Sequence, residues 1–332
     1  MKTRFTWLMA FCAAAVFSQA AAAQSWQATV GAQNNNKGRQ ALAFLPNEIW
    51  IHAGESVTWT FNTNEKHSVT FLTPGQLRPS FSAGCPGATT DGSPFDNSAC
   101  VNSGVVKTAG QTYTVVFPKA GNYKLVCLVH ANMTGIVHVL DPGAALPHDQ
   151  SFYDEQGAAE RHDLLSDNDD DSDSALRGDG DRDSDDAHSH AIVTGTGELI
   201  STPGGVQSVS LMRFLRHRIV IHAGQTVEWN SEDVTGHTIT FGVEPPNVTP
   251  ATPPSTNVFL DPDGVRHVIL NSPSDSAHSG TITQAPQERT GLAQAPPGFT
   301  RFRATFINPG TYPFICAFHD DLGMKGEVIV LP

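Results

Sequence analysis

Short runs of Val, Ile, Thr, Phe and Tyr recur along this chain, each broken after a few residues by Gly, Pro or Asn. Glu48–Ile51, Ser56–Phe61, Thr112–Phe117 and Tyr123–Leu128 are such runs, and the second half carries an equivalent set. Runs of that length bounded by turn residues predict strands, and many in succession predict a β-sandwich. With 16% charged residues, 29 Gly and 22 Pro, a helical bundle or coiled coil is disfavoured. No stretch after residue 23 approaches the ~18 unbroken apolar residues of a spanning helix, so stable membrane insertion is not expected.

The pattern is also periodic on a larger scale. Trp50-Ile-His-Ala-Gly-Glu-Ser-Val-Thr-Trp59 matches Val220-Ile-His-Ala-Gly-Gln-Thr-Val-Glu-Trp229. A second His follows each Trp at the same spacing, His67 and His237. A longer block, Tyr113–Val139, matches Phe302–Val330. Two blocks in the same order with matched internal spacing indicate tandem homologous domains. The expected division is an export signal at 1–23, a first domain at 24–140, an acidic flexible linker at 141–190 and a second domain at 191–332. Val243–Gly298, longer than its counterpart and rich in Pro, Ser and Thr, reads as an irregular surface excursion.

Charge is concentrated rather than spread. Residues 141–190 hold sixteen acidic and three basic residues and account for nearly all of the formal net charge of -13. Asp167–Asp186 is too polar to fold alone and is expected to be a solvated tether, with Phe152–Leu165 as a short helix packed on a domain. Carboxylates alternate there as in calcium loops, but the required Gly and the closing Glu are missing. An acidic chain without a basic stripe excludes nucleic acid as a natural partner. Lys2 and Arg4 precede an apolar run and then Ala20–Ala23, the form of a cleavable signal. An uncleaved anchor fits the Ala-rich end less well, and Phe11 before Cys12 is too bulky for lipoprotein processing. A periplasmic or secreted protein follows.

Four cysteines remain once Cys12 is removed with the signal. Cys85 and Cys100 flank a Gly/Ser/Asp-rich loop and suit a local disulfide in an oxidising compartment. Cys127 and Cys316 lie in apolar strands, each followed three residues later by His. In the first half Cys127, His130 and Met133 join the upstream His67; in the second, Cys316, His319 and Met324 join His237. Thiolate, two imidazoles and a weak thioether form the ligand set of a blue copper site. Thiolate and thioether favour Cu(I) and imidazole accepts Cu(II), so one rigid site serves both oxidation states. Any one of these residues alone would read as core filler; the repetition of all four types does not. His52 and His222 read as structural turn residues, and His138 as incidental. His188 and His190 form a His-x-His pair without preorganised geometry in the linker.

On these residues the chain resembles the cupredoxins, the small blue copper proteins typified by plastocyanin, pseudoazurin and amicyanin. The resemblance implies two Greek-key sandwiches, each with one type 1 copper held by the four residues just named. It also implies that His130, beside Val129 and Ala131, and His319, beside Phe318, open through apolar patches to protein redox partners. Asp320 and Asp321 would make the second port salt-sensitive. One departure is that Ser68 and Thr238 follow the upstream His where the family commonly has Asn; their hydroxyls are expected to serve instead.

An electron carrier is therefore expected, not an enzyme. A copper oxidase needs several His-x-His pairs and a His beside the thiolate, but Val126 and Leu128 flank Cys127, and Ile315 and Ala317 flank Cys316. A two-domain nitrite reductase requires the same adjacent His and normally lacks a blue site in its second domain. Copper storage or delivery would favour Met- or His-rich clusters; apart from Met212, the only Met residues after the signal are the two candidate ligands.

Overall fold

The computed structural model describes residues 24–76, 85, 87–130, 132–166, 188–193, 198–202, 205–231, 235–283 and 300–332. The expected export signal and the acidic stretch 167–186, with its calcium-like spacing, lie outside these residues. The first half builds β1 (Ser25–Gln33), β2 (Arg39–Leu45), β3 (Glu48–His52), β4 (Ser56–Phe61), β5 (Thr70–Phe71), β6 (Ser93–Pro94), β7 (Val101–Asn102), β8 (Thr112–Val116), β9 (Gly121–Val126) and β10 (Thr134–Leu140), followed by α1 (Gln150–Ser166). The second half builds β11 (His188–Val193), β12 (Glu198–Thr202), β13 (Gly205–Leu211), β14 (Arg218–His222), β15 (Thr226–Ser231), β16 (Thr240–Phe241), β17 (Phe259–Leu260), β18 (Arg266–Leu270), β19 (Ala277–His278), β20 (Arg301–Phe306), β21 (Gly310–Ile315) and β22 (Lys325–Leu331).

In each half two sheets enclose a core. The sheet β3-β10-β9-β5-β7 faces β2-β1-β4-β8-β6, and β14-β22-β21-β16-β19 faces β11-β15-β20-β18-β17. Side chains of a strand alternate between faces. Along β4, Val57, Trp59 and Phe61 are buried while Ser56, Thr58 and Thr60 are half-exposed. The second core gathers Trp229, Phe241, Phe302, Phe306 and Phe314 in the same way. Each fully buried Phe contributes roughly 1.5–3 kcal/mol. Tyr123 and Tyr312 fix the strand before each closing loop by donating a hydrogen bond to the Lys119 and Asn308 carbonyls, at 2.8 and 2.7 Å. The Cys85–Cys100 disulfide is present, as its local loop suggested.

The short helix expected over Phe152–Leu165 is present, so the 141–190 span expected as a flexible linker is ordered in that part. α1 packs on β1 and β2 with Tyr153 and Leu164 buried. Asp149 accepts the Phe152 N–H at 3.0 Å near the helix start. The Tyr153 hydroxyl accepts the Trp50 N–H at 2.9 Å. β2 is consequently buried on both faces: Leu42 and Phe44 enter the sandwich core, while Ala41, Ala43 and Leu45 lie under the helix. Gly157 lets the helix touch that strand, since a Cβ there would lie 3.1 Å from the Leu45 carbonyl carbon.

Four further expectations need correction. The domains are not independent bodies on a tether: β13 pairs antiparallel with β2, Ser208 opposite Leu42 and Leu211 opposite Arg39, so β12 and β13 extend the first domain's sheet. β2 offers an open edge, and pairing satisfies its backbone groups. His188 and His190 lie in β11, paired with β15, rather than in a linker. The Val243–Gly298 segment is not wholly irregular: β18 joins β20 in parallel register and buries Val268 and Leu270, while 284–298 lie outside the described residues. His138 is not incidental; it stacks on Trp50 at 4.0 Å and its Nε2 meets Glu48 at 2.9 Å.

Candidate metal centres

Each centre sits at the end of its sandwich where β9 or β21 runs into the closing loop. The upstream imidazole is fixed by its own backbone. His67 donates to the Val106 carbonyl at 2.9 Å and accepts the Val106 N–H at 2.8 Å; His237 makes the same pair with Ile282, at 2.9 and 2.8 Å. The closing loop folds back on itself, Cys127 N–H donating to the Met133 carbonyl and Cys316 N–H to the Met324 carbonyl, both at 3.0 Å. The second loop is two residues longer and contains a three-residue 3-10 turn, Asp320–Leu322, ended by Gly323 at φ 93°.

These loops bring the expected residues together. Cys127 Sγ lies 3.9 Å from His67 Nδ1 and 3.8 Å from His130 Nδ1, and the two imidazole nitrogens are 3.1 Å apart. Cys316 Sγ lies 3.8 Å from His237 Nδ1 and 3.4 Å from His319 Nδ1. In each group the candidate donor atoms lie within 4.8 Å of one another. A first-row ion with bonds of about 2.0–2.3 Å fits inside a triangle of such edges. One thiolate and two imidazoles, in a pocket closed to water, suit copper in both oxidation states. Met133 and Met324 close the loops fully buried.

The electrostatics favour a thiolate. Burial alone raises the Cys127 thiol, but hydrogen bonding and charge from His130 and His67 outweigh it and hold the group well below its ordinary range. Cys316 is lowered in the same sense: burial opposes, and His319 and His237 prevail. Burial disfavours a charged His130, yet Cys127 and Glu65 push it up to about 9. Ser68 and Thr238 each tie the closing loop and the thiolate to the segment that follows the upstream His. The Ser68 hydroxyl accepts the Leu128 N–H at 2.8 Å and the Ser68 N–H points to Cys127 Sγ at 3.4 Å. Thr238 repeats both contacts, with Ala317 at 2.8 Å and Cys316 at 3.4 Å.

A profile of copper binding proteins of the plastocyanin/azurin family matches residues 31–140 and 200–331. The chain belongs to that family. It binds copper, and its two halves are tandem cupredoxin sandwiches. Among its relatives, Ginkgo biloba plastocyanin is 29% identical over 100 residues, spanning 30% of this chain and 88% of the relative. A chloroplastic plastocyanin of Tetradesmus obliquus is 32% identical over 129 residues, 38% of this chain and 75% of the relative. Among solved structures, a reduced amicyanin variant aligns at 20% identity and TM-score 0.24, covering 35% of this chain and 82% of that one. Oxidised plastocyanin from Dryopteris crassirhizoma aligns at 20% identity and TM-score 0.22, covering 43% and 100%.

In this cupredoxin the closing-loop imidazoles are not surface ports. His130 is 5% exposed and His319 3%. Beside Phe318 the expected apolar opening meets the other domain: Lys66 Nζ donates to the Phe318 carbonyl at 3.2 Å and lies 5.5 Å from the Phe318 ring centre. Arg213 ties the second loop to the first domain, donating to the Leu322 carbonyl at 2.7 Å and the Asn36 carbonyl at 2.6 Å. Sequence reasoning also missed Gly31 and Glu65. Gly31 holds φ +65° at a bulge within β1, so that its bare Cα can lie against the His67 ring, and a lone Gly inside a strand pattern was a usable signal. Glu65 carried none, being one carboxylate two residues before a ligand.

Proposed function

We propose that this is an exported electron carrier with two type 1 copper centres. His67, Cys127, His130 and Met133 hold one ion, and His237, Cys316, His319 and Met324 hold the other. Copper held by these residues would supply single-electron exchange between its two oxidation states. The protein keeps the sulfur and both nitrogens of each centre fixed and dry, so that little rearrangement accompanies the change. The observation that carries the reading is the pair of matched, buried His–Cys–His groups. A carrier is favoured over an oxidase because no His flanks either thiolate. Protein redox partners and a periplasmic or secreted location fit this reading, with docking away from the two buried imidazoles. The purified chain should bind two coppers and absorb intensely near ~600 nm. Cys127→Ser and Cys316→Ser should each lose one copper and leave the other; a variant that keeps both ions refutes the assignment for its centre.

A further inference from the structure

Two ligand imidazoles from different domains meet one carboxylate. Glu65 is buried; its Oε1 lies 3.6 Å from His130 Nε2 and its Oε2 lies 3.5 Å from His319 Nε2. A buried carboxylate is costly unless paired, and here each oxygen faces a different ring. Each of these rings turns its other nitrogen, Nδ1, to its own cysteine sulfur, at 3.8 Å for His130 and 3.4 Å for His319. A carboxylate against Nε2 fixes the proton there and leaves the Nδ1 lone pair aimed at the metal position. The matching position of the second repeat is Thr235, so the carboxylate occurs once and serves both centres.

We propose that Glu65 is a shared positioning residue, which fixes the orientation and tautomer of His130 and His319 together and makes the two centres one coupled pair. This rests on the ligand assignment above. A change at one imidazole is passed to the other through a single rigid carboxylate rather than through solvent. A glutamine of the same shape offers one acceptor oxygen and one amide donor, so it can satisfy only one ring.

The first test uses the metal-free full chain labelled with ¹⁵N at histidine. Both Nε2 protons should exchange slowly. Glu65→Gln should accelerate one of them at least tenfold, and Glu65→Ala both. Two fast-exchanging protons in the unaltered chain overturn the proposal, and that measurement needs no variant to fold. The second test places Glu65→Gln in a Cys127→Ser full chain, whose remaining copper belongs to the second domain. Its visible band and midpoint potential should shift although the substitution is in the first domain; an unchanged band and potential overturn the coupling. A Cys127→Ser chain holding no copper or two refutes the ligand assignment instead, and the metal-free spectrum still reads the bridge.

Discussion

Replacing Gly31 by Ala isolates how tightly the first centre is packed. Gly31 lies at φ +65°, and an added Cβ would sit 2.7 Å from His67 Nε2 and collide with the Thr63 methyl. Gly54 makes a matched control: φ is +92°, but nothing lies within 4 Å of its Cβ position. Both substitutions force an L-residue into the left-handed region, at about 1–2 kcal/mol each. Only Gly31→Ala adds overpacking, about 1–3 kcal/mol more. Relief requires the His67 ring to move, and its backbone is pinned to Val106, so the displacement falls on the side of the ring that faces Cys127. If the overpacking is expressed as lost copper binding, affinity at the first centre falls roughly 5- to 150-fold. Copper titration in a Cys316→Ser background, followed by the first centre's own absorption, reads this directly. Gly54→Ala should lower stability to denaturant while leaving the affinity and the band in place. A Gly31→Ala chain with the affinity and spectrum of the Gly54→Ala chain refutes the reasoning.

Gly157→Ala should destabilise the chain although Ala is the better helix former by about 1 kcal/mol, because the Cβ meets immobile backbone of Leu45 and Pro46; urea midpoints decide the sign. Ser68→Ala and Thr238→Val should each cost about 1–3 kcal/mol by stranding the Leu128 or Ala317 N–H, whereas Thr238→Ser should be nearly neutral in the same denaturation assay. Burial opposes ionisation of Glu65, but His319 and His130 prevail and hold its carboxyl well below the ordinary 4.5. Below that value the unfolded metal-free chain binds a proton that the folded chain refuses. Stability from this group is therefore present above pH 4.5 and lost as the pH falls. Urea midpoints from about pH 3 to 6 should consequently fall more steeply with acid for the unaltered metal-free chain than for Glu65→Gln.

The sequence by itself determined the local and repeated features. Runs such as Ser56–Phe61 became strands with the expected inward face, because the period of two is a property of the strand itself. Cys127 and His130, like Cys316 and His319, met because a short loop brings them together whatever surrounds it. His67 and His237 were readable because the repeat printed their spacing twice. Tertiary structure decided how the domains relate. β13 could leave its own domain because the β2 edge was open to any strand of suitable register, and strand pairing leaves little trace in a single sequence. The burial of His130 and His319 depends on contacts between Glu65, Lys66 and residues some 250 positions later in the chain. Charge favours such a meeting wherever the backbone permits it, and the backbone route is set by the packing of both sandwiches.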